Sequence, residues 1–393
     1  MNLIEQAINA VEKNLKIRIK EFDKAHAAET QYNLLDEKFI SLQLTDLHFD
    51  DLDALQPLFN IVKALHFFDC TFTTSDTDNI VKGIRQFTAL ETILVDSGCV
   101  TTIKTFLRLE TIKELQLIID YEMIPTNTLI LDFKELKSIK NLRLYSYNVG
   151  SDKMFVFKGA EYLTNLEKLT IECDCIIEEL NKFKNLKYLK TESIQLQATE
   201  RLESLKTLEI VALKDEYTIY TLEQFPNLEN LKIRRCNNIN LGELKKLKIL
   251  SISSREFELE KSTAFENLPN LEQLEFNECK ITEIKNLDKL SNLRVLNLYE
   301  NYTIENIDGI ENLKNLEYIN LYENKISDIR VLNKLPNLKE VNVAGNNITQ
   351  EDVDQQLEKS EIARFLHRAW RPKSDVPFYI WDSVEEILRE DGI

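Results

Sequence analysis

Cysteines, histidines and carboxylates are the residues of this chain that could bind a metal or carry out catalysis. The six cysteines are spread over the sequence, and only Cys173 and Cys175 lie close together. Two thiols separated by one residue match no zinc-binding pattern. The four histidines, His26, His48, His66 and His367, are equally scattered. The spacing therefore predicts no metal site and no cofactor.

Motifs that carry catalysis or bind nucleotides are missing from the sequence. No P-loop, G-x-S-x-G, H-E-x-x-H or dinucleotide glycine fingerprint occurs. Paired acids such as Glu385 and Glu386 are adjacent, so their side chains point in different directions. We therefore expect no enzymatic activity.

The charge of the chain limits its partners. It has 66 acidic and 49 basic residues, which gives a formal net charge of -17. Such a field repels nucleic acid and anionic lipid and favours cationic proteins, although it also simply keeps a large surface soluble. No apolar run reaches the ~18 residues of a membrane span, and the first residues do not resemble a signal peptide. These features predict a cytoplasmic, monomeric protein with free thiols, which binds neither nucleic acid nor membrane.

The sequence is self-similar, and the similarity indicates what positions its side chains. Three segments near the C-terminus share the pattern L-x-x-L-x-L-x-x-N: Leu293-Arg-Val-Leu-Asn-Leu-Tyr-Glu-Asn301, Leu316-Glu-Tyr-Ile-Asn-Leu-Tyr-Glu-Asn324 and Leu338-Lys-Glu-Val-Asn-Val-Ala-Gly-Asn346. They resemble leucine-rich repeats of the 22-residue, internalin-like class. This resemblance implies a solenoid that binds proteins. The opening apolar residue recurs at spacings of 19 to 28 residues from Phe39 onward, which predicts about fourteen repeats.

Alternation explains how each repeat folds. In L-x-L the two leucines point to one side of a strand, and the strand can bury them only by stacking on its neighbours. The asparagine that follows turns inward and satisfies backbone groups of the turn. Asn301, Asn324 and Asn346 should form such a ladder. Cys70, Cys236 and Cys279 occupy the same repeat position, where the resemblance implies that cysteine is also accepted.

The predicted fold is an α/β, right-handed leucine-rich-repeat solenoid with one concave parallel β-sheet and helical caps at both ends. Residues 1–38 form the N-terminal helical cap, with an apolar stripe from Ile4 to Leu15, and residues 39–348 form the repeats. Residues 349–393 form the C-terminal cap, which opens with a helix capped by Thr349. The tryptophans Trp370 and Trp381 belong to this cap or to a docking motif. A further helix is expected where Ile80, Ile84 and Phe87 follow helical spacing, and the shorter repeats leave room only for turns or 3₁₀ segments.

The residue after the second leucine of each strand should face the concave side. Aromatic and apolar residues at such positions have no role in the core and are typical of protein interfaces. Tyrosines on neighbouring strands could also simply stabilise the sheet, and the two roles are compatible. The predicted partner-binding residues are Phe68, Ile118, Tyr145, Lys232, Arg234, Tyr299, Tyr318 and Tyr322.

These observations predict a non-catalytic scaffold or adaptor that binds a protein partner on its concave face. The alternative is an intracellular inhibitor, or an immunity protein, that neutralises a toxin or an enzyme. An inhibitor should bind more tightly than an adaptor and should silence an activity.

Overall fold

Short apolar alternations form the strands of the computed structural model, which describes residues 3–22, 29–72, 77–96, 100–120, 127–147, 154–177, 180–192, 201–211, 222–236, 241–255, 257, 265–284, 287–358 and 362–365. They belong to two compact units, one within Met1–Leu186 and one within Lys187–Phe378.

The first unit consists of short strands separated by helices and 3₁₀ segments. In chain order its elements are α1 (Leu3–Leu15), β1 (Lys20–Glu21), β2 (Gln31–Leu34), β3 (Ile40–Thr45), β4 (His48–Phe49), a 3₁₀ segment (Asp53–Leu58), β5 (Val62–Phe68), β6 (Thr71–Phe72), α2 (Thr77–Ile84), β7 (Thr92–Asp96), α3 (Val100–Phe106), β8 (Glu114–Asp120), β9 (Thr128–Asp132), β10 (Asn141–Tyr147), β11 (Met154–Lys158), a 3₁₀ segment (Ala160–Tyr162), β12 (Lys168–Glu172), β13 (Cys175–Ile177) and a 3₁₀ segment (Leu180–Lys182).

The main sheet of the first unit is parallel from β3 onward, as predicted. Its neighbours in order are β3, β5, β7, β8, β10 and β12. Before β3 the pattern differs, because β2 pairs with β3 in the antiparallel direction and β1 pairs with β2. The N-terminal segment therefore contains the predicted helix, α1, and two strands that extend the sheet. Ile4, Ile8 and Val11 of α1 are buried.

The first repeat begins one residue later than predicted. A register shift between Ile40 and Ser41 places Ile40 opposite Val62, and Ile40 is fully buried. Phe39, the predicted opening residue, is half-buried instead. The ammonium groups of Lys38 and Lys63 lie 5.0 and 4.5 Å from the centre of its ring, a cation–π arrangement.

A second, smaller sheet of the first unit was not predicted. Strands β9, β11 and β13 pair in parallel. Of these, only β13 lies in one of the shorter repeats, where turns or 3₁₀ segments were expected. The alternation appears in the burial and not in the sequence, because Leu129, Leu131, Phe155 and Phe157 are buried while Ile130, between the two leucines, is half exposed. The predicted helix is present as α2, with Ile80, Ile84 and Phe87 buried.

The second unit repeats one strand and one short return segment. Its elements are β14 (Tyr188–Thr191), β15 (Thr207–Ile210), β16 (Asn230–Arg234), β17 (Ile249–Ser253), a 3₁₀ segment (Phe265–Asn267), β18 (Gln273–Asn277), β19 (Val295–Asn297), a 3₁₀ segment (Ile310–Asn312), β20 (Tyr318–Asn320), a 3₁₀ segment (Arg330–Lys334), β21 (Glu340–Asn342), α4 (Gln350–Gln356) and β22 (Ala363–Phe365). From β14 to β22 each strand pairs in parallel with the next.

The predicted helix after the last asparagine is present as α4. Thr349 accepts a hydrogen bond from the backbone of Asp352, whose carboxylate accepts one from the backbone of Thr349, which is a capping box. Val353 and Leu357 are buried. Strand β22 follows α4 and pairs with β21, so the parallel ladder continues past residue 348.

The predicted asparagine ladder connects consecutive repeats of the second unit. The side-chain amide of Asn301 donates to the carbonyls of Phe276 and Leu298, at 2.9 and 2.8 Å. Asn324 and Asn346 repeat this geometry one and two strands further on. At the same repeat position the thiol of Cys279 lies 3.6 Å from the carbonyl oxygen of Ile252. The internal asparagines and cysteines thus satisfy turn carbonyls that no strand partner reaches.

A second asparagine ladder, on the exposed turns, was not predicted. The asparagine just before the opening leucine of a repeat donates to a turn carbonyl of the preceding repeat. Asn315, for example, donates to the Ser291 carbonyl at 2.7 Å. The same bond recurs at Asn165, Asn185, Asn227, Asn270, Asn292 and Asn337.

Candidate protein-binding surface

The residues predicted to face away from the core lie in register along each unit's sheet. In the first unit Phe68 pairs with Asp96, Asp96 with Ile118, and Ile118 with Tyr145. In the second unit the row comprises Arg234, Ser253, Asn277, Tyr299, Tyr322 and Ala344. We call the sheet face of the second unit that carries this row the open face. The repeat phase assigned from the sequence is therefore confirmed within each unit.

Tyr299 and Tyr322 are adjacent on the open face. The backbone of Glu300, just after Tyr299, donates to the carbonyl of Tyr322 at 2.8 Å. Both rings are half-buried. Part of each ring is thus available for a contact, while the buried part is restricted by the sheet. Restricted aromatic side chains of this kind lose little conformational entropy on binding, which suits them to interfaces.

Tyr318 does not extend this exposed patch, contrary to the prediction. Only 5% of its area is exposed. The ammonium of Lys339 lies 5.8 Å from the ring centre, and both Lys339 and Arg294 bind the carboxylate of Glu317, at 2.5 and 2.6 Å. The buried ring, with the Lys339 ammonium over it, therefore leaves little area for a partner to contact. Tyr318 is therefore a buried residue of the sheet and not a contact residue.

Lys232 is also buried, whereas the sequence predicted a contact residue. It is 7% exposed, and its ammonium lies 3.7 Å from the carboxylate of Glu209 on the neighbouring strand. Arg234, two residues further along β16, is half-buried and aligned with Ser253. The two predicted basic contact residues therefore differ, because Lys232 forms an internal ion pair while Arg234 has a more accessible guanidinium.

The candidates of the first unit differ in exposure. Phe68 and Tyr145 are half-buried, and Phe68 makes an edge contact with the His66 ring at a centroid distance of 6.5 Å. Ile118 is only 8% exposed, so its predicted role as a contact residue is unsupported by its burial. Ile118 lies between Asp96 and Tyr145 of the two neighbouring strands.

A buried carboxyl group lies at the centre of the open face. Glu275 accepts hydrogen bonds from the hydroxyl of Ser251 at 2.8 Å and from the amide of Gln273 at 2.5 Å. Burial raises the pKa of this carboxyl, and the donors together with Lys232 oppose the rise. Three side-chain amide oxygens are buried nearby and have no hydrogen-bond donor among the described residues. They belong to Gln273 and Asn277 on β18 and to Asn297 on the neighbouring strand β19.

Three glutamates at one repeat position border the open face, and the sequence analysis did not single them out. Glu278, Glu300 and Glu323 each follow a residue of the Asn277–Tyr299–Tyr322 row, and we call them the acidic ridge. Tyr299 donates to Glu278 at 3.5 Å, and Tyr302 donates to Glu300 at 2.8 Å. The signal was present in the sequence, since the glutamate precedes the ladder residue in three consecutive repeats.

Potential metal ligands are scattered over the described part of the chain. No group of three or more potential metal ligands occurs there, and no described helix is long and apolar enough to cross a membrane. Among the described cysteines, Cys70, Cys175, Cys236 and Cys279 are free thiols. Burial raises the pKa of Cys70 to about 11 and that of Cys236 and Cys279 to about 12, so these thiols are poor nucleophiles.

A family model of leucine-rich repeats matches part of the second unit. Residues 269–312 and 314–356 match the family described as Leucine Rich repeats (2 copies). No curated protein matches the sequence.

Several solved structures are similar to this chain at low sequence identity. A leucine-rich-repeat protein of Leptospira interrogans is 18% identical, with 78% of this chain and 90% of that chain covered and a TM-score of 0.39. An internalin of Listeria monocytogenes is 17% identical, with 80% and 76% covered and a TM-score of 0.37. The functional domain of InlJ from Listeria monocytogenes, which includes a cysteine ladder, is 15% identical, with 76% and 72% covered and a TM-score of 0.43.

Proposed function

We propose that this leucine-rich-repeat protein is a non-catalytic scaffold or adaptor that binds one protein partner on the open face of its second unit. Leucine-rich repeats build extended surfaces for protein interaction. The observation that carries the proposal is the pair Tyr299 and Tyr322, half-buried on neighbouring strands away from the core. We further propose that the protein acts as a monomer in the cytoplasm.

The composition of the open face supports a folded protein as the partner. Its aromatic residues are combined with neutral amides such as Asn297 and Asn320 and with few exposed cations. Protein interfaces are rich in tyrosine and poor in charge at their centre, whereas nucleic-acid interfaces are basic. The net charge of -17 also opposes nucleic-acid binding.

The second candidate function is inhibition of a toxin or an enzyme. The acidic ridge supports it, because a row of carboxylates accelerates association with a basic target. An inhibitor would bind at about nanomolar concentration or below and would abolish its target's activity, whereas an adaptor leaves its partner active.

Affinity capture from the native cell extract, followed by mass spectrometry, tests the proposal. The parent chain should retain a partner that Tyr299→Ala combined with Tyr322→Ala retains poorly. Tyr162→Ala is the matched control, since this tyrosine is 47% exposed in the first unit. Equal recovery by the parent and the double variant would place the interface away from the two tyrosines.

A further inference from the structure

The acidic ridge occupies a backbone conformation that does not favour glutamate. The φ angles of Glu278, Glu300 and Glu323 are 53°, 56° and 54°, and the equivalent residue of the next repeat, Gly345, has a φ of 70°. The left-handed region costs roughly 1–2 kcal/mol for a residue with a Cβ, and glycine or asparagine relieves that cost. Folding therefore does not explain why three consecutive repeats carry glutamate here.

Tyrosines accompany the ridge on both sides. Tyr299 lies on the open face before Glu300, and Tyr302, which is 48% exposed, follows two residues after it. The hydroxyl groups of these tyrosines donate to Glu278 and Glu300, at 3.5 and 2.8 Å. Burial and the nearby glutamates raise the pKa of Tyr299 to about 12. Bonding to Glu300 raises the pKa of Tyr302 to about 12, with Glu323 and Glu278 adding to the rise. The three carboxylates of the ridge thus create a negative electrostatic field next to the aromatic rings.

Little positive charge balances this field. A guanidinium nitrogen of Arg255 lies 3.5 Å from the carboxylate of Glu278, but 79% of the arginine side chain is exposed. Within the described residues Glu300 and Glu323 form no ion pair. Two of the three ridge carboxylates therefore lack a cation from this part of the chain.

Buried side-chain oxygens of the open face beside the ridge lack a hydrogen-bond donor among the described residues, and this observation is independent of the ridge. Gln273 and Asn277 are 0% and 2% exposed, and their side-chain oxygens have no donor among the described residues. Gln273 directs its amide nitrogen to Glu275, which leaves its oxygen unpaired. Asn297, opposite Glu275 on β19, has a third unpaired oxygen. Unpaired buried acceptors are costly, so a partner whose donors reach them after a side-chain shift gains affinity here.

We propose that the acidic ridge and its tyrosines bind arginine side chains of a cationic segment on the protein partner. Arginine suits both the unpaired oxygens and the tyrosine rings, because its guanidinium supplies five donors in a plane and stacks on aromatic rings. Carboxylates bind it through paired, charge-assisted hydrogen bonds. This inference rests on the proposed function, since it specifies the chemistry of the partner that the open face binds.

A peptide titration with the full chain tests the inference. The probe is a fluorescein-labelled peptide of alternating arginine and glycine, and its uncharged counterpart carries citrulline in place of every arginine. Fluorescence anisotropy at about 0.15 M salt gives the dissociation constants. We expect the citrulline peptide to bind at least about tenfold more weakly, because it keeps the shape of arginine but loses its charge.

Paired variants separate the ridge from the general charge of the protein. Glu300→Gln with Glu323→Gln should weaken binding of the arginine peptide at least about tenfold. Glu305→Gln with Glu358→Gln removes the same charge from exposed positions on return segments and should change it less than about twofold. Equal losses in the two double variants would overturn the inference, as would equal binding of the citrulline peptide.

Two controls keep the outcome interpretable. Urea unfolding checks that each variant remains folded. Where the glutamine pair lowers stability, Glu323→Gly replaces it, because glycine suits the left-handed backbone and should still weaken binding by about threefold or more. The tyrosine variant could still lose the captured partner while the arginine peptide binds the parent and the ridge variants equally well. The proposed function would then stand, and this inference alone would fail.

Discussion

The side-chain amide nitrogen of Asn324 lies 2.9 Å from the carbonyl oxygen of Leu298, one repeat earlier, and 3.0 Å from that of Leu321 in its own repeat. One buried amide therefore satisfies two backbone acceptors and links neighbouring strands. Because each repeat contacts only its neighbours, bonds of this kind contribute directly to the coupling between repeats.

Replacement of Asn324 by alanine should lower the free energy of unfolding by roughly 1–3 kcal/mol, because the buried carbonyls lose their donor. Urea unfolding followed by circular dichroism measures the change. Asn315→Ala is the control, since Asn315 makes an equivalent bond to Ser291 at an exposed turn where water can replace it. Equal stability of the Asn324 variant and the parent would mean that the ladder does not stabilise the fold.

The cysteines should be free thiols that are protected by folding. In denaturant without reductant all six should react with a thiol reagent. In the native protein at pH 8, Cys70, Cys236 and Cys279 should react slowly, because burial raises the pKa of each thiol. Cys279→Ala should lower the count in denaturant by one and leave the native count unchanged. Fewer than six reactive thiols in denaturant would reveal a disulfide and contradict the proposed cytoplasmic location.

Glu275→Gln should stabilise the protein at neutral pH. Burial raises the pKa of Glu275 above its ordinary value near 4.5, so the folded state binds this proton more tightly than the unfolded state does. The contribution of this carboxyl to stability is therefore fully present below pH 4.5 and is lost as the pH rises through the folded pKa. Glutamine stays neutral at every pH, and the amide of Gln273 can turn to accept its new donor.

Urea midpoints at pH 7.5 and pH 4 measure this effect. The urea midpoint of the variant should be higher than that of the parent at pH 7.5, and the difference between the two midpoints should shrink toward pH 4. Glu358→Gln, at an exposed position, should show no such dependence on pH. A variant that is less stable than the parent at pH 7.5 would indicate that the ionised carboxylate stabilises the open face.

The sequence predicted the fold where the repeat imposes strict alternation. Leu293, Leu316 and Leu338 are buried as expected, and the outward row from Thr45 to Glu172 is in register within the first unit. Local chemistry also identified α4, because Thr349 and Asp352 form a capping box. The register shift at Ile40 was not predictable, since Phe39 and Ile40 are both apolar and only packing selects between them.

The surface was less predictable than the core. Position in the repeat shows which way a side chain points, but it does not show what covers it. Tyr318 and Lys232 point away from the leucine core as expected, yet neighbouring side chains bury both. The sequence alone does not indicate a role for the acidic ridge, because a glutamate at a turn is ordinarily a solvated residue. The left-handed backbone of these glutamates becomes evident only in the structure.

The binding role of the open face is tested most directly by the affinity of the captured partner for the parent chain and for Tyr299→Ala combined with Tyr322→Ala. Both side chains are half-buried and outside the core, so the double variant should fold normally. We expect its dissociation constant to rise about thirtyfold, which corresponds to roughly 2 kcal/mol, while Tyr162→Ala binds like the parent. An unchanged dissociation constant for the folded double variant would contradict the proposed interface.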